Sequence, residues 1–344
     1  MAELAFCFGT SHGPMLNTQP EEWGQRARAD RVNPALAFRG SQYSFDELLE
    51  LRAPGFAKEC TPVVWERRHR ACRAAIDTLS SRVWAARLDV LIVLSSDHKE
   101  TFDDRLLAPF TVYWGDTVQH EPFTQEALDA MPPGLAIAEV ANAPSVSTIR
   151  SCHPELALHI VRQAGEAGFD PAASRQLPDG KYHDYGIPHG WGFIYQQILG
   201  GSGTIPFVPL FVNTFWEPNP PSAKRCYDFG RTLGAAVDSF PSDIRVGIAA
   251  SGGLSHFVVD EELDHQFLQA LIDDDRDYLA SLSAPVLSSG TSELRNWIAV
   301  AGAVAASRCA LRAEIVDYQP CYRSEAGTGN AMGFVAWEPR PDQT

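Results

Sequence analysis

The chain has 344 residues, and its 28 lysines and arginines against 43 aspartates and glutamates give a formal net charge of −15. This negative charge argues against a protein that binds nucleic acid or an anionic membrane surface. The composition of 45% hydrophobic and 21% charged residues is that of a folded globular chain. Seven scattered cysteines without a Cys-x-x-Cys pair, and no apolar run near the ~20 residues of a membrane span, favour a reduced, cytoplasmic protein.

Short apolar runs alternate with longer amphipathic segments, which is typical of an α/β fold. The apolar runs that we interpret as strands are Leu4–Phe8, Leu88–Leu94, Ile205–Val212 and Ile244–Ala250. The segments with helical spacing of apolar residues are 62–86, Pro154–Ala167, Ser222–Phe240, Glu261–Leu282 and Ser292–Ser307. We therefore predict a single domain over residues 1–344, with a central, mostly parallel sheet flanked by helices on both faces.

Residues 17–60 form a segment that is rich in polar residues, arginine and proline. It is long for a connection between two elements of a compact domain. Two interpretations stay open at this point, a lid over a functional site and an ordinary surface excursion.

Three of the ten histidines lie in the loops that follow predicted strands. His12 follows the first strand, His98 the second and His256 the fourth. Because ligands of open α/β sheets bind at the carboxyl ends of strands, we expect these side chains to lie close together. His189 lies in a glycine-rich loop, and Glu293 lies in the first turn of the last predicted helix. The position of Glu293 also suits a plain helix-start carboxylate.

Two histidines and one carboxylate from separate elements match the facial triad that binds non-haem Fe(II). The same residue types bind catalytic zinc, and Mn(II) also accepts nitrogen and oxygen ligands. A single histidine at a strand end can instead simply donate to a backbone carbonyl.

Other polar motifs support competing interpretations. Ser11 lies in a G-x-S-x-G pattern, the nucleophile elbow of serine hydrolases, but this pattern follows the first strand and leads into prolines rather than a helix. Residues 200–203 are glycine-rich and precede a strand, which predicts a turn. We predict that the acidic run Asp273, Asp274 and Asp275 lies on the solvated face of a helix. We also predict solvated positions for the arginines Arg67, Arg68, Arg70 and Arg73.

Several motifs occur in order along the chain. They are Thr10-Ser11-His12-Gly13-Pro14, Ser96-Asp97-His98, Pro220–Cys226, Ala235–Pro241, Ser251–His256 and Glu293-Leu294 with Trp297. Together they resemble the class III, or LigB-like, extradiol ring-cleavage dioxygenases. The resemblance covers most of the chain and includes the single-chain gallate and 3-O-methylgallate branch as well as the β subunit of protocatechuate 4,5-dioxygenase.

The resemblance implies Fe(II) bound by His12, His98 and Glu293, with O₂ as co-substrate. It assigns an acid/base role beside the substrate hydroxyl to His256. It also implies a second active-site histidine. His189 matches this position but follows a proline where the family has an aspartate, and His183 is the competing candidate.

The activity implied is the opening of a catechol or pyrogallol carboxylate ring, of the gallate, 3-O-methylgallate or protocatechuate type. An aminophenol or a dihydroxypyridine is the alternative substrate. By the same resemblance we expect residues 17–60 to form a built-in lid, in a homodimer without a separate small subunit. The residues expected to orient the ligands are Asp97, Ser11 and Ser255, and those expected near the substrate ring are Tyr318 and Tyr322.

Overall fold

The computed structural model describes residues 1–131, 135–181 and 186–339. The strands of this part of the chain are β1 (Glu3–Thr10), β2 (Leu36–Phe38), β3 (Ser41–Tyr43), β4 (Val90–Ser95), β5 (Phe110–Tyr113), β6 (Thr117–His120), β7 (Thr148–Ser151), β8 (Ala172–Ser174), β9 (Phe207–Val212), β10 (Arg245–Ser251), β11 (His256–Val258), β12 (Leu311–Tyr322) and β13 (Thr328–Pro339).

Helices cover both faces of the sheet. The α-helices of the described residues are α1 (Trp23–Arg31), α2 (Phe45–Leu51), α3 (Pro62–Ala85), α4 (Gln125–Asp129), α5 (Ala136–Val140), α6 (Pro154–Glu166), α7 (His189–Phe193), α8 (Ala223–Ser239), α9 (Glu261–Asp273), α10 (Arg276–Ser281) and α11 (Leu294–Ala306). Short 3₁₀ helices cover Pro14–Leu16, Pro20–Glu22, Ala57–Glu59 and Ser289–Glu293, and a π-helical turn covers Ile194–Ile198.

The sheet is mixed and has the strand order β11-β13-β1-β10-β4-β9-β5-β8, with β12 paired to β13. Its four central strands, β1, β10, β4 and β9, are mutually parallel, whereas β13 and β5 run antiparallel to their inner neighbours. The α/β prediction is confirmed. All four predicted strands form this parallel centre, with ends shifted by at most two residues.

Strand β4 shows why these runs are apolar throughout. Val90, Ile92 and Leu94 point into one apolar core, which includes α8 and α11. Leu91 and Val93 point into the other core, which includes α3. Because successive side chains of a strand alternate between faces, a strand covered on both sides needs apolar residues at every position.

The predicted helix Glu261–Leu282 is wrong as a single helix. The chain forms α9 and α10 instead, because Asp274 adopts a left-handed backbone conformation with φ of 54°. Asp275 then caps α10, where its Oδ1 atom accepts a hydrogen bond from the Tyr278 N–H at 3.0 Å. Asp273 therefore ends α9, Asp274 and Asp275 lie between the two helices, and the acidic run does not lie within one helix.

The long antiparallel pair β12 and β13 was not predicted. Strand β13 has twelve residues, of which Phe334–Trp337 pair with β1, and all but its last two are buried. The predicted turn at residues 200–203 is confirmed, since Gly200 and Gly201 have positive φ. No helix among the described residues is long and apolar enough to cross a membrane.

Candidate active site

Three histidines meet at one edge of the sheet. Strands β1, β10 and β4 are adjacent and parallel, so their carboxyl ends lie side by side. His12 follows β1, His98 follows β4 and His256 follows β10 at the start of β11. All three line one cavity, which agrees with the expectation that histidines after these strands lie close together.

Glu293 joins this group from the opposite end of the chain. It ends the 3₁₀ helix Ser289–Glu293 and precedes α11, and it is almost fully buried. Its Oε1 atom lies 2.7 Å from His98 Nε2 and 3.3 Å from His12 Nε2. Its Oε2 atom accepts a hydrogen bond from the Gly253 N–H at 2.5 Å. One carboxylate oxygen is thus fixed by the backbone, and the other faces two imidazoles.

Hydrogen bonds determine which nitrogen of His12 faces Glu293. The Ser251 hydroxyl lies 2.9 Å from His12 Nδ1 and donates its proton to the Gly190 carbonyl at 2.7 Å. The hydroxyl has one proton, so it accepts from the Nδ1–H of His12. The Nε2 atom of neutral His12 therefore has a free lone pair directed toward Glu293.

His256 is fixed in the same tautomer. Its Nδ1 atom lies 2.7 Å from the Leu254 carbonyl oxygen, which can only accept, so the proton is on Nδ1. Its Nε2 atom lies 3.6 Å from Glu293 Oε2. A Cβ atom at Gly290 would lie 2.0 Å from His256 Cδ2, so only glycine lets this imidazole occupy its place.

Burial and mutual charge set the protonation of these groups. Burial lowers the pKa of His12 against the attraction of Glu293, and burial also lowers the pKa of His256. Burial alone would raise the pKa of Glu293, but attraction and hydrogen bonds from His12 and His98 hold it well below its usual range. His12 and His256 are therefore neutral near pH 7 and Glu293 is ionised.

His189 begins α7 and forms a buried ion pair with Glu100. The Glu100 carboxylate contacts His189 Nδ1 through one oxygen and accepts from the His189 backbone N–H at 3.1 Å through the other. Burial opposes the charged forms, but this pairing raises the pKa of His189 and lowers that of Glu100. One imidazole nitrogen of each of His12, His98 and His189 lies within 4.8 Å of the others.

Two of the residues expected to orient the ligands, Asp97 and Ser255, hydrogen-bond to groups other than the imidazoles. Asp97 accepts hydrogen bonds from the Thr101 and Phe102 N–H groups and so shapes the loop after His98. Ser255 donates its hydroxyl and its backbone N–H to the carboxylate of Asp264. Both contacts fix loops that carry histidines rather than the imidazole rings themselves.

Ser11 does not form a nucleophilic arrangement. Its hydroxyl oxygen accepts from the Gly333 N–H at 3.0 Å and its proton is directed at the Ala331 carbonyl at 3.4 Å. Both partners are backbone groups of β13. A serine nucleophile needs a base within hydrogen-bond reach, and the described contacts of this hydroxyl include none. The serine hydrolase interpretation therefore has no structural support.

Of the remaining predicted site residues, Tyr318 and Tyr322 are described, and neither reaches the cavity. Tyr318 donates its hydroxyl to Asp264 at 2.8 Å, and Tyr322 donates its hydroxyl to Glu261 at 2.5 Å. Both hydroxyls are already engaged, and neither tyrosine lines the cavity. His183 lies outside the described residues.

The cavity has a volume of about 340 Å³, at the lower end of the range for small-ligand sites. The residues already described that line it are His12, His98, Glu100, His189, His256 and Glu293. The lining residues from elsewhere are Gly13, Pro14, Arg26, Phe123, Leu135, Glu139 and Phe257. Arg26 comes from α1, so residues 17–60 contribute to the wall.

The segment 17–60 is also firmly attached beside the cavity. Asp30 accepts two hydrogen bonds from Arg323, each at 2.7 Å, and all these groups are buried. Arg52 donates to the backbone carbonyls of Val259 and Gly327, and Arg39 forms an ion pair with Asp260. A lid role for this segment stays a prediction.

Sequence reasoning missed three residues of this site. Glu100 lies two positions after His98, and an acidic residue so close to a candidate ligand was an available signal. Ser251 lies in one of the motifs named above, but its contact with His12 depends on strand pairing. Arg26 lies in the polar segment and had no distinguishing pattern.

The donor set fits a divalent metal ion. Neutral imidazole nitrogen and ionised carboxylate are the forms that bind metals, and His12, His98 and Glu293 direct these atoms at one another inside a cavity. Two imidazoles and one carboxylate are the ligand types of non-haem Fe(II) sites.

Comparison with known proteins identifies the family to which the chain belongs. Residues 66–329 match the family described as the catalytic LigB subunit of aromatic ring-opening dioxygenase. This chain belongs to the LigB family. The matched region of this LigB-family protein contains His98, His189, His256 and Glu293, whereas His12 and Arg26 precede it. The resemblance stated from the motifs is thereby confirmed.

Individual relatives are similar over part of their length. A gallate dioxygenase of Pseudomonas putida is 30% identical over 167 residues, which are 45% of this chain and 46% of the relative. A 2,3-dihydroxyphenylpropionate/2,3-dihydroxicinnamic acid 1,2-dioxygenase of Azotobacter vinelandii is 27% identical over 176 residues, 50% of each chain. The chain therefore spans about half the length of the curated relatives it matches.

Proposed function

We propose that this LigB-family chain is an extradiol dioxygenase that uses Fe(II) and O₂ to open the ring of a catechol or pyrogallol carboxylate. The observation that carries the proposal is the convergence of His12 Nε2 and His98 Nε2 on one oxygen of buried Glu293 inside a cavity. Membership of a family of ring-opening dioxygenases supports the same chemistry.

His12, His98 and Glu293 would hold the metal. When bound, the metal would orient the diol and O₂ and pass electron density between them. The chain's own contribution begins with orientation, because Ser251 fixes the His12 ring and the Gly253 N–H fixes the Glu293 carboxylate. Preset ligands lose little freedom when the site is filled.

Proton transfer is the task of His256 and His189. The Nε2 atom of neutral His256 can take the proton of a substrate hydroxyl, because its Nδ1–H is already committed to the Leu254 carbonyl. His189, kept protonated by Glu100, is a donor near His12 and His98, from which its ring centroid lies 4.8 and 5.3 Å away. The pair supplies one base and one acid.

We expect the cavity walls to limit the access of water to the reacting ring. Residues 17–60 supply Arg26, and the segment around α5 supplies Leu135 and Glu139. We propose that residues 17–60 act as a built-in lid, which makes a separate small subunit unnecessary. We also propose, by analogy with related enzymes, that the chain forms a homodimer. A substrate ring that fills the cavity would displace water from it and strengthen the electrostatic contacts inside.

Relatives guide the choice of substrate. One is named for gallate and others for dihydroxyphenylpropionate and dihydroxicinnamic acid, all of which have adjacent ring hydroxyls and a carboxylate. We therefore propose a diol carboxylate as the substrate here. An aminophenol or a dihydroxypyridine is the alternative to be tested beside it.

The function is tested by oxygen uptake with anaerobically purified protein reconstituted with Fe(II). The rings to compare are gallate, 3-O-methylgallate, protocatechuate, homoprotocatechuate and a dihydroxypyridine. We expect uptake matched one-to-one by loss of a diol carboxylate, and reconstitution with Mn(II) distinguishes the metals. Absence of uptake with every ring, despite bound metal, would contradict the proposal.

A further inference from the structure

One arginine in the cavity wall has an unpartnered donor. Arg26 lies on α1, on the face that carries the buried residues Trp23, Ala27 and Asp30. Its Nη1 atom is buried and forms no hydrogen bond, and among the described residues no carboxylate lies within ion-pair distance of its guanidinium. The side chain lines the same cavity as the candidate metal ligands.

The neighbouring carboxylates do not satisfy this cation. Both oxygens of Asp30 are bound by Arg323, and one also accepts the Thr328 hydroxyl at 2.6 Å. Glu139 is buried in the same wall, where its Oε2 atom lies 3.4 Å from Asn142 Nδ2.

Arg26 nevertheless stays charged. Burial lowers its pKa to about 10, repulsion by Arg323 acts in the same direction, and Asp30 and Glu139 oppose the shift. This value lies well above neutral pH, so a positive guanidinium faces the cavity.

An unpartnered buried cation costs free energy, and a ligand that pairs with it recovers that cost. The planar guanidinium presents two parallel N–H groups, which match the two oxygens of a carboxylate. A ring that carries both a diol and a carboxylate could place the diol at the candidate metal ligands and the carboxylate at Arg26, because both line this cavity.

We propose that Arg26 binds the carboxylate of the substrate and thereby selects diol carboxylates over the same rings without a carboxylate. This inference rests on the function proposed above. Arg26 precedes residues 66–329, the region that matches the family, and it is not among the candidate metal ligands. Residues 17–60 then supply substrate selectivity as well as cover.

Anaerobic titration calorimetry of metal-loaded protein tests this role with two matched ligands. Gallate carries a carboxylate, and pyrogallol is the same ring without it. We expect Arg26→Met to weaken gallate binding by roughly 10- to 100-fold, the worth of a hydrogen-bonded charge, and to leave pyrogallol binding unchanged. Arg26→Lys should lose less gallate affinity, because lysine keeps the positive charge but lacks the two parallel N–H groups of the guanidinium. The matched control is Arg28→Met, which removes an exposed arginine of the same helix.

Glu139→Gln separates ligand binding from a structural role. If Arg26 serves a substrate carboxylate, removal of the neighbouring negative charge should strengthen gallate binding several-fold. If Glu139 is instead the counter-ion that positions Arg26, Glu139→Gln should weaken gallate binding. Weaker binding in this variant would overturn the inference, as would an equal effect of Arg26→Met on both ligands or no effect on either.

These measurements are independent of turnover. Gallate binding that depends on Arg26 in a protein that opens no ring would support the inference and contradict the proposed function. Ring opening of gallate and pyrogallol at unchanged rates and affinities in Arg26→Met would support the function and overturn the inference.

Discussion

The Ser251 hydroxyl accepts the Nδ1–H of His12 and thereby directs the lone pair of the opposite nitrogen toward Glu293. Ser251 ends β10, and His12 follows the neighbouring parallel strand β1. The sheet itself therefore sets the orientation of a candidate metal ligand. This relationship makes Ser251 a positioning residue rather than a ligand.

We expect Ser251→Ala to weaken metal binding about 10- to 100-fold, the usual effect of removing a hydrogen bond that orients a ligand. Chelator competition measures the affinity. Ser95→Ala is the control, because it removes a buried hydroxyl that donates to the Ser251 carbonyl but contacts no imidazole. An equal loss in both variants would show a general effect of buried hydroxyls instead.

Glu293→Gln and His189→Gln distinguish two ligand sets. His12 and His98 can be completed by the Glu293 carboxylate or by the His189 imidazole, since both lie near them. We expect Glu293→Gln to lose bound metal, whereas His189→Gln should keep the metal and lose activity. Metal content after gel filtration is the measurement, with the exposed Glu314→Gln as control. The opposite pattern would favour a three-histidine site.

Gly190→Ala should disrupt the site with little effect elsewhere. A Cβ atom there would lie 2.1 Å from Ser95 Oγ and 3.3 Å from His12 Cε1. We expect lower metal affinity, with partial recovery in the double variant Ser95→Ala/Gly190→Ala because the hydroxyl is removed. Gly165→Ala is the control, since a Cβ atom at that helical position meets nothing within 4 Å. Metal affinity in Gly190→Ala equal to that in Gly165→Ala would refute the steric argument.

Asp264 predicts a pH-dependent contribution to stability. Burial, chiefly, raises its pKa from 3.8 to about 7 in the folded protein, although Ser255 and Tyr318 donate hydrogen bonds to it. The folded state therefore binds more protons than the unfolded state between these values. The stabilisation is present below about pH 4 and is lost as the pH rises through about 7.

Asp264→Asn should remove this dependence. Urea unfolding at several pH values should show a smaller decrease in the free energy of unfolding for the variant, by at most ~1.4 kcal/mol per pH unit within this window. Parallel curves for the two proteins would mean that Asp264 ionises normally when folded.

The sequence allowed the edge of the sheet that carries the candidate site to be predicted, because the strands there are apolar on both faces. Such apolar runs are recognisable in the sequence, and the loop after each strand is then placed at a known edge of the sheet. His12, His98 and His256 were found in this way. Glu293 was ambiguous from its helix-start position, and the family resemblance was needed to favour it.

The rest depends on contacts between residues distant in the chain. Glu100 pairs with His189 across 89 positions, and Asp30 pairs with Arg323 across 293 positions. No local periodicity encodes such pairs. The single-helix error at Asp274 has a local cause, because a left-handed aspartate ends a helix whose apolar spacing continues beyond it.

The most direct test of the central claim is the incorporation of isotopically labelled dioxygen by the Fe(II)-reconstituted protein acting on gallate or another turned-over diol. The product should be trapped by immediate borohydride reduction, before a carbonyl oxygen exchanges with water, and then analysed by mass spectrometry. We predict that the ring-opened product contains both labelled atoms and that Glu293→Gln forms none. A product with one labelled atom, with label recovered only in water, or formed equally by Glu293→Gln would contradict this account.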